Sequence, residues 1–264
     1  MKKRYFLFSL IFLTAYLFNR SRLHAFEPDR LRIAVLRSGQ SDSYDPYPTI
    51  WRDIARALEG ATSIETDPLV KDVIRPKSLE LKRHALAFWL ISRPFVGFDE
   101  EERRALGNWV RLGGGMIVAL RVESAKDYGP QEDDVDLKAR KEIEAIFEGS
   151  KLEVIASTHA LFRSFYLVNQ VGGTLQRARS LEGVKAGERY GLIWSRNDLL
   201  GALLRDPQGN YLYGCYPGGE AQRQETFKLV INVFLYALTG TYKEDIIHSP
   251  FIEQKLKWKI RGPQ

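Results

Sequence analysis

The stretch Ala85–Leu120 reads ALAFWLI, SRPFVGF, DEEERRALGNWVRL, GGG, MIVAL, and its reading decides the fold. Ala85 to Ile91 is an unbroken apolar run, too short for a helix of ordinary length and suited to a strand buried on both faces. Asp99 followed by Glu100, Glu101 and Glu102 is a helix start. The Asp99 carboxylate can accept the N–H of residue 102, and acids in the first turn suit the helix dipole. Ala105, Leu106, Trp109 and Val110 give that helix one apolar face, and Gly113-Gly114-Gly115 ends it. The glycines follow a helix and precede a strand, the reverse of a phosphate loop, so they read as a turn. Met116 to Leu120 is the next buried strand. Strand, helix and strand in this order predict a parallel sheet with right-handed crossovers.

The same alternation continues outward. Leu31 to Leu36 reads as the first strand, and Arg37 to Asp42 as a polar loop. Pro48 opens a helix in which Ile50, Ile54 and Leu58 recur every four residues beside Trp51 and Ala55, with Gly60 at the C-cap position. A second strand is expected near Ser63–Thr66, an exposed polar excursion over 123–136, a helix over Val135–Phe147 and a short strand over Leu152–Ile155. Tyr190 to Trp194 is a further strand, with a short helix from Leu199. Glu220 to Leu238 is a long helix whose second half, nearly all apolar, must be buried against the sheet. The expected fold class is α/β: a flavodoxin-like open, mostly parallel sheet with helices on both faces.

The two ends differ from this body. Lys2-Lys3-Arg4 precedes an uncharged, mostly apolar run from Tyr5 to Phe18, and Leu23-His24-Ala25 places a small residue where cleavage would fall. That run is shorter than the roughly 17–25 residues of a spanning helix. Residues 1–25 therefore read as a cleaved export signal, with a retained N-terminal membrane anchor or a buried helix as the alternatives. Residues 26–250 form one domain, and 251–264 a tail whose segment 255–261, KLKWKIR, alternates basic and apolar residues. The whole chain has a net charge of +6, but Lys2, Lys3, Arg4, Arg20 and Arg22 supply most of it and the remainder is near neutral. Overall charge thus gives no support for nucleic-acid binding. The one cysteine, Cys215, excludes an intrachain disulfide and any cysteine-rich metal site.

Several segments, in this order and spacing, resemble a prokaryotic family catalogued as domain of unknown function 4159. They are Thr62-Ser-Ile-Glu65, the Asp99–Leu120 unit, His159-Ala-Leu-Phe-Arg-Ser-Phe-Tyr166, Tyr190–Leu200, and Ile231-Asn-Val-Phe-Leu-Tyr-Ala-Leu-Thr-Gly240 followed by Tyr242-Lys243. The match spans roughly residues 30–250. The resemblance implies a fold like that of class I glutamine amidotransferases, often exported and near a membrane, and brings no established activity.

An amidotransferase needs a cysteine on a tight strand-to-helix turn with His and Glu beside it. The strand 85–91 runs instead into Ser92-Arg93-Pro94, and Cys215 lies in a Gly- and Pro-rich loop. His159 is the leading catalytic candidate, as an acid/base group with Asp198 or Glu123; the bland alternative is an imidazole that pins a turn. His24, His84 and His248 show no metal-ligand spacing with it, so no metal and no cofactor are expected. Asn197 and Asp198 follow a strand, where they either cap a helix or line a cleft. The carboxyl ends of parallel strands are where ligands bind in such sheets. Ser38, Asp42, Arg121, Glu123 and Asn197 are the ligand-binding candidates there, and Arg37, Arg121 and Arg196 bias that edge toward an anionic or sugar-like ligand. The expected role is a non-catalytic binding or assembly domain of the cell envelope, whose partner is an envelope protein or glycan. The alternative is a periplasmic hydrolase of a glycan or small polar substrate. Both place the chain in the periplasm or on the outer face of the cytoplasmic membrane.

Overall fold

The structure, a computed structural model, describes residues 30–39, 45–91, 94–121, 130–148 and 150–239. Seven strands form one sheet: β1 (Leu31–Leu36), β2 (Thr66–Ile74), β3 (Leu86–Ile91), β4 (Gly115–Leu120), β5 (Glu153–Val154), β6 (Glu182–Ala186) and β7 (Arg189–Ser195). Their order is β2-β1-β3-β4-β7-β6-β5. The five strands from β2 to β7 in that order pair parallel, while β6 pairs antiparallel with both β7 and β5. The sheet is thus open, mixed and mostly parallel, and its first four strands follow the flavodoxin-like order.

Burial on both faces explains the apolar runs. All six residues of β3 and all six of β4 are buried. Helices α1 (Ile50–Ala61) and α4 (Gly219–Thr239) pack on one face, where Trp51, Phe88 and Phe234 meet. Helices α2 (Glu100–Arg111) and α3 (Pro130–Ile146) cover the other, around Trp89, Leu106 and Trp194. The capping box at α2 is complete: Asp99 accepts from Glu102 N at 2.8 Å, and Glu102 accepts from Asp99 N at 3.1 Å.

Four boundaries differ from the sequence reading. β2 begins where a short strand was expected to end and runs to Ile74. It is an edge strand, and an edge tolerates the Pro68 and the acids that break its pattern. Helix α1 passes through Gly60 to Ala61; the terminus is closed by Thr62, whose N–H and hydroxyl both donate to Leu58 O. Helix α3 starts at Pro130, inside the span expected to be an excursion. The short helix after β7 is a 3-10 turn at Gly201–Leu203, and β6 carried too few apolar residues to be seen.

Phe234 is completely buried, with its ring 5.3 Å from that of Phe88. Phe234→Ala should cost about 3–5 kcal/mol and sharply lower the melting temperature in a calorimetric scan. An unchanged transition would mean that α4 is not seated on the sheet.

Candidate functional site

The carboxyl ends of the parallel strands converge on Asn197 and Asp198, just beyond β7. Asn197 is wholly buried, and its amide is fully committed. Its Oδ1 accepts from Arg177 N at 2.9 Å and Ala178 N at 2.8 Å, and its Nδ2 donates to Gly172 O and Ala178 O, both at 2.8 Å. One side chain thereby does the work of a missing strand for the segment 172–178. Gly173 lies against it at φ +140°, where an added Cβ would come within 2.7 Å of Asn197 Cβ. Asn197, expected as a possible ligand contact, is instead a clamp inside the protein.

Asp198 is also buried, at 1% exposure. Its Oδ1 accepts from Gly201 N at 2.8 Å, which starts the 3-10 turn, and its Oδ2 accepts from the Tyr47 hydroxyl. Tyr47 comes from the loop between β1 and α1, so a single carboxylate joins elements that are 151 residues apart. Burial, then the Asp198 charge, pushes the Tyr47 phenol far above its ordinary pKa. The phenol therefore stays protonated and acts as the donor. The Arg121 guanidinium, from the exit of β4, lies 5.7 Å from the centre of the Tyr47 ring.

Beside this pair, Asp45 accepts from Trp51 Nε1 at 3.0 Å and from Lys71 Nζ. Ser38, at the exit of β1, accepts from Trp89 Nε1 at 3.4 Å. Arg196 pairs with Asp136 of α3 at 3.2 Å. The Thr174 hydroxyl, next to the clamp, is buried with no hydrogen-bond partner among the described residues. Ser38, Arg121, Asn197 and Asp198 thus share one edge. Asp42 and Glu123 lie outside the described residues. Tyr47, Asp45 and Thr174 were invisible in the sequence, because a loop tyrosine, aspartate or threonine carries no periodic signal.

His159 is elsewhere. Its ring stands edge-on to Tyr190, at the amino end of β7, and to Tyr236, near the end of α4, with centroids 5.0 and 5.3 Å away. Asp198 follows the opposite end of β7, a seven-residue strand and so roughly 20 Å long. The expected convergence of His159 with Asp198 is absent. His159 Nδ1 accepts from Leu161 N at 3.2 Å and starts the 3-10 turn Ala160–Arg163. Partial burial, then the Lys185 charge, lowers its pKa below the ordinary histidine value.

Cys215 lies in the loop before α4, 8% exposed, and burial pushes its thiol pKa up. At neutral pH it holds its proton and is a poor nucleophile. Among the described residues no group of three His, Cys, Asp or Glu side chains is placed to hold a metal ion.

A model of the family described as Domain of unknown function (DUF4159) matches residues 32–238. The chain belongs to this family. The match runs from β1 to the last turn of α4, so the whole described sheet and the edge around Asp198 are parts of the DUF4159 domain. No curated protein matches the chain.

Two outcomes follow from this geometry. Asn197→Ala leaves the N–H of Ala178 and the carbonyls of Gly172 and Ala178 without this partner, and leaves the N–H of Arg177 only Leu175 O, so it should destabilise the DUF4159 domain by more than about 2 kcal/mol in urea unfolding. A shift within about 0.5 kcal/mol would contradict the clamp. Burial favours the neutral form of His159, so its contribution is complete above the unfolded-state pKa of about 6.5 and is lost as pH falls from there through the lower folded-state pKa. His159→Asn keeps an acceptor for Leu161 N but cannot titrate there. Its melting temperature should fall less than that of the wild type between pH 7 and pH 5. Parallel pH profiles would contradict the assignment.

Proposed function

We propose that this DUF4159 chain is an exported binding or assembly domain of the cell envelope rather than a catalyst. The observation that carries the reading is the separation of His159 from Asp198 by the length of β7. The hydrolase reading pairs His159 with Asp198 or Glu123; Asp198 stands a strand's length away, Glu123 lies outside the described residues, and His159 Nδ1 is occupied by the backbone N–H of Leu161. The rest of the site is consistent with holding rather than reacting. Asp198 and Asn197 are consumed by internal hydrogen bonds, and Cys215 keeps its proton. What the strand-exit edge offers a ligand is a shaped polar surface, with Ser38, Arg121 and Arg196 partly exposed around the Tyr47–Asp198 pair.

The sheet order and the helices on both faces support the finer fold reading, a layout like that of class I glutamine amidotransferases without its cysteine. Export is supported by the charged start and apolar run of residues 2–25.

A C-terminal alkaline phosphatase fusion tests the compartment. The full chain should give an active fusion in a bacterial host, and deletion of residues 2–25 should abolish that activity. An inactive full-length fusion would overturn the envelope reading.

A further inference from the structure

Helices α1 and α4 pack on the same face of the sheet, and between them lies a groove of about 290 Å³. Its floor is apolar: Ile54 of α1, Leu203 of the 3-10 turn and Ile231 of α4 are each nearly without solvent. Ala57 of α1 and Phe227 of α4, both half-buried, form its walls. Ile50, Ile54 and Ala57 follow the spacing of one helix face, so the methyl group at 57 leaves open a space that a larger side chain would fill. Tyr47, Arg121 and Asp198 do not line this groove. Its volume is at the lower end of small-molecule pockets and suits a ligand of about ten non-hydrogen atoms.

The rim carries charge, and one cation on it is held in place. The chain from Leu204 to Leu212 is a small hairpin, in which Leu212 N donates to Leu204 O at 2.9 Å and Asp206 N to Asn210 O at 2.8 Å. It sets Arg205 opposite Tyr211, and both line the groove. The Arg205 guanidinium lies 4.4 Å from the centre of the Tyr211 ring, and its Nη2 donates to the Tyr211 hydroxyl at 2.7 Å. Arg223, itself buried, approaches the same ring to 3.9 Å and donates to Tyr213 O at 2.8 Å, which fixes the hairpin to α4. The other bond of Arg205 runs from Nη1 to Gly209 O at 3.4 Å. Both of its acceptors are neutral, and among the described residues no carboxylate pairs with it. The neighbouring acids are already engaged: Asp53 pairs with Arg56 at 3.5 Å, and Asp206 accepts from Asn210 N at 2.8 Å. An apolar groove is thus closed at its rim by a positioned guanidinium whose charge is not balanced.

We propose that this groove binds a medium-chain amphipathic carboxylate, with its head on Arg205 and its chain along Ile54, Phe227 and Ile231. A guanidinium has five N–H donors in a planar fork, so the two bonds to Tyr211 and Gly209 leave donors for a carboxylate. The apolar floor takes the chain out of water, and the same desolvation strengthens the charged hydrogen bonds at the head. A neutral ligand of the same shape gains only the first of these. The inference uses only α1, α4 and the hairpin, so it is independent of the compartment and of the strand-exit edge.

Saturation-transfer NMR of the full chain with octanoate tests this. Titration should give a dissociation constant of about 1 mM or tighter. Ala57→Trp fills the groove and should abolish the signal. Arg205→Gln changes an exposed side chain outside the core, so it keeps the test open if a melting curve shows that Ala57→Trp does not fold. It should weaken octanoate binding about tenfold, and octanamide, the same chain without the charge, should bind the wild type about tenfold more weakly than octanoate does. No signal from the wild type at about 10 mM octanoate would overturn the proposal. So would equal affinity of wild type and Arg205→Gln, equal affinity for octanoate and octanamide, or an unchanged signal from folded Ala57→Trp, since each would mean that the chain binds elsewhere or that its charge is not read.

Discussion

One buried carboxylate organises the edge at which this fold would act. Asp198 is almost without solvent, and a carboxylate in that position is tolerated only if its oxygens are hydrogen-bonded. Tyr47 and Gly201 N meet that requirement. In doing so they fasten the loop after β1 to the turn after β7, across the width of the parallel sheet. Asn197, one residue earlier, fastens the segment 172–178 to the same turn. Neighbouring residues thus gather three separate loops into one surface.

The two ends of the strands consequently have different characters. At the carboxyl ends, polar side chains are held by buried hydrogen bonds, and Arg121 is laid near the Tyr47 ring. At the amino ends, an exposed leucine and several cations surround the points where the chain enters and leaves the domain. A sheet sandwiched between helices has few other places for function, since both faces are filled by Trp51, Phe88 and Phe234 on one side and Trp89, Leu106 and Trp194 on the other.

The fold was legible because burial on both faces leaves unbroken apolar runs. β1, β3, β4 and β7, the α2 capping box and α4 could all be read within a residue or two. β2 and β6 could not, since an edge strand and a short antiparallel strand keep polar residues that blur the pattern. The candidate site was legible only in part. Strand-exit topology brings Ser38, Arg121, Asn197 and Asp198 to one edge but not His159, and it does not distinguish a clamp from a ligand contact. His159 lies five residues after β5, beside Tyr190 and Tyr236, and the chain then runs along α4, where the backbone N–H groups of Phe165 and Tyr166 are held by Asn232 Oδ1. Nothing in the local sequence announces that the histidine meets the amino end of β7.

The bond between Tyr47 and Asp198 is the most direct place to test this account. A double-mutant cycle would combine Tyr47→Phe with Asp198→Asn and follow urea unfolding of the wild type, both single variants and the double variant. If the carboxylate holds the two loops together, the pair should show a coupling of about 1 kcal/mol or more. Additive effects, with coupling within about 0.3 kcal/mol of zero, would mean that the strand-exit edge is assembled by other contacts.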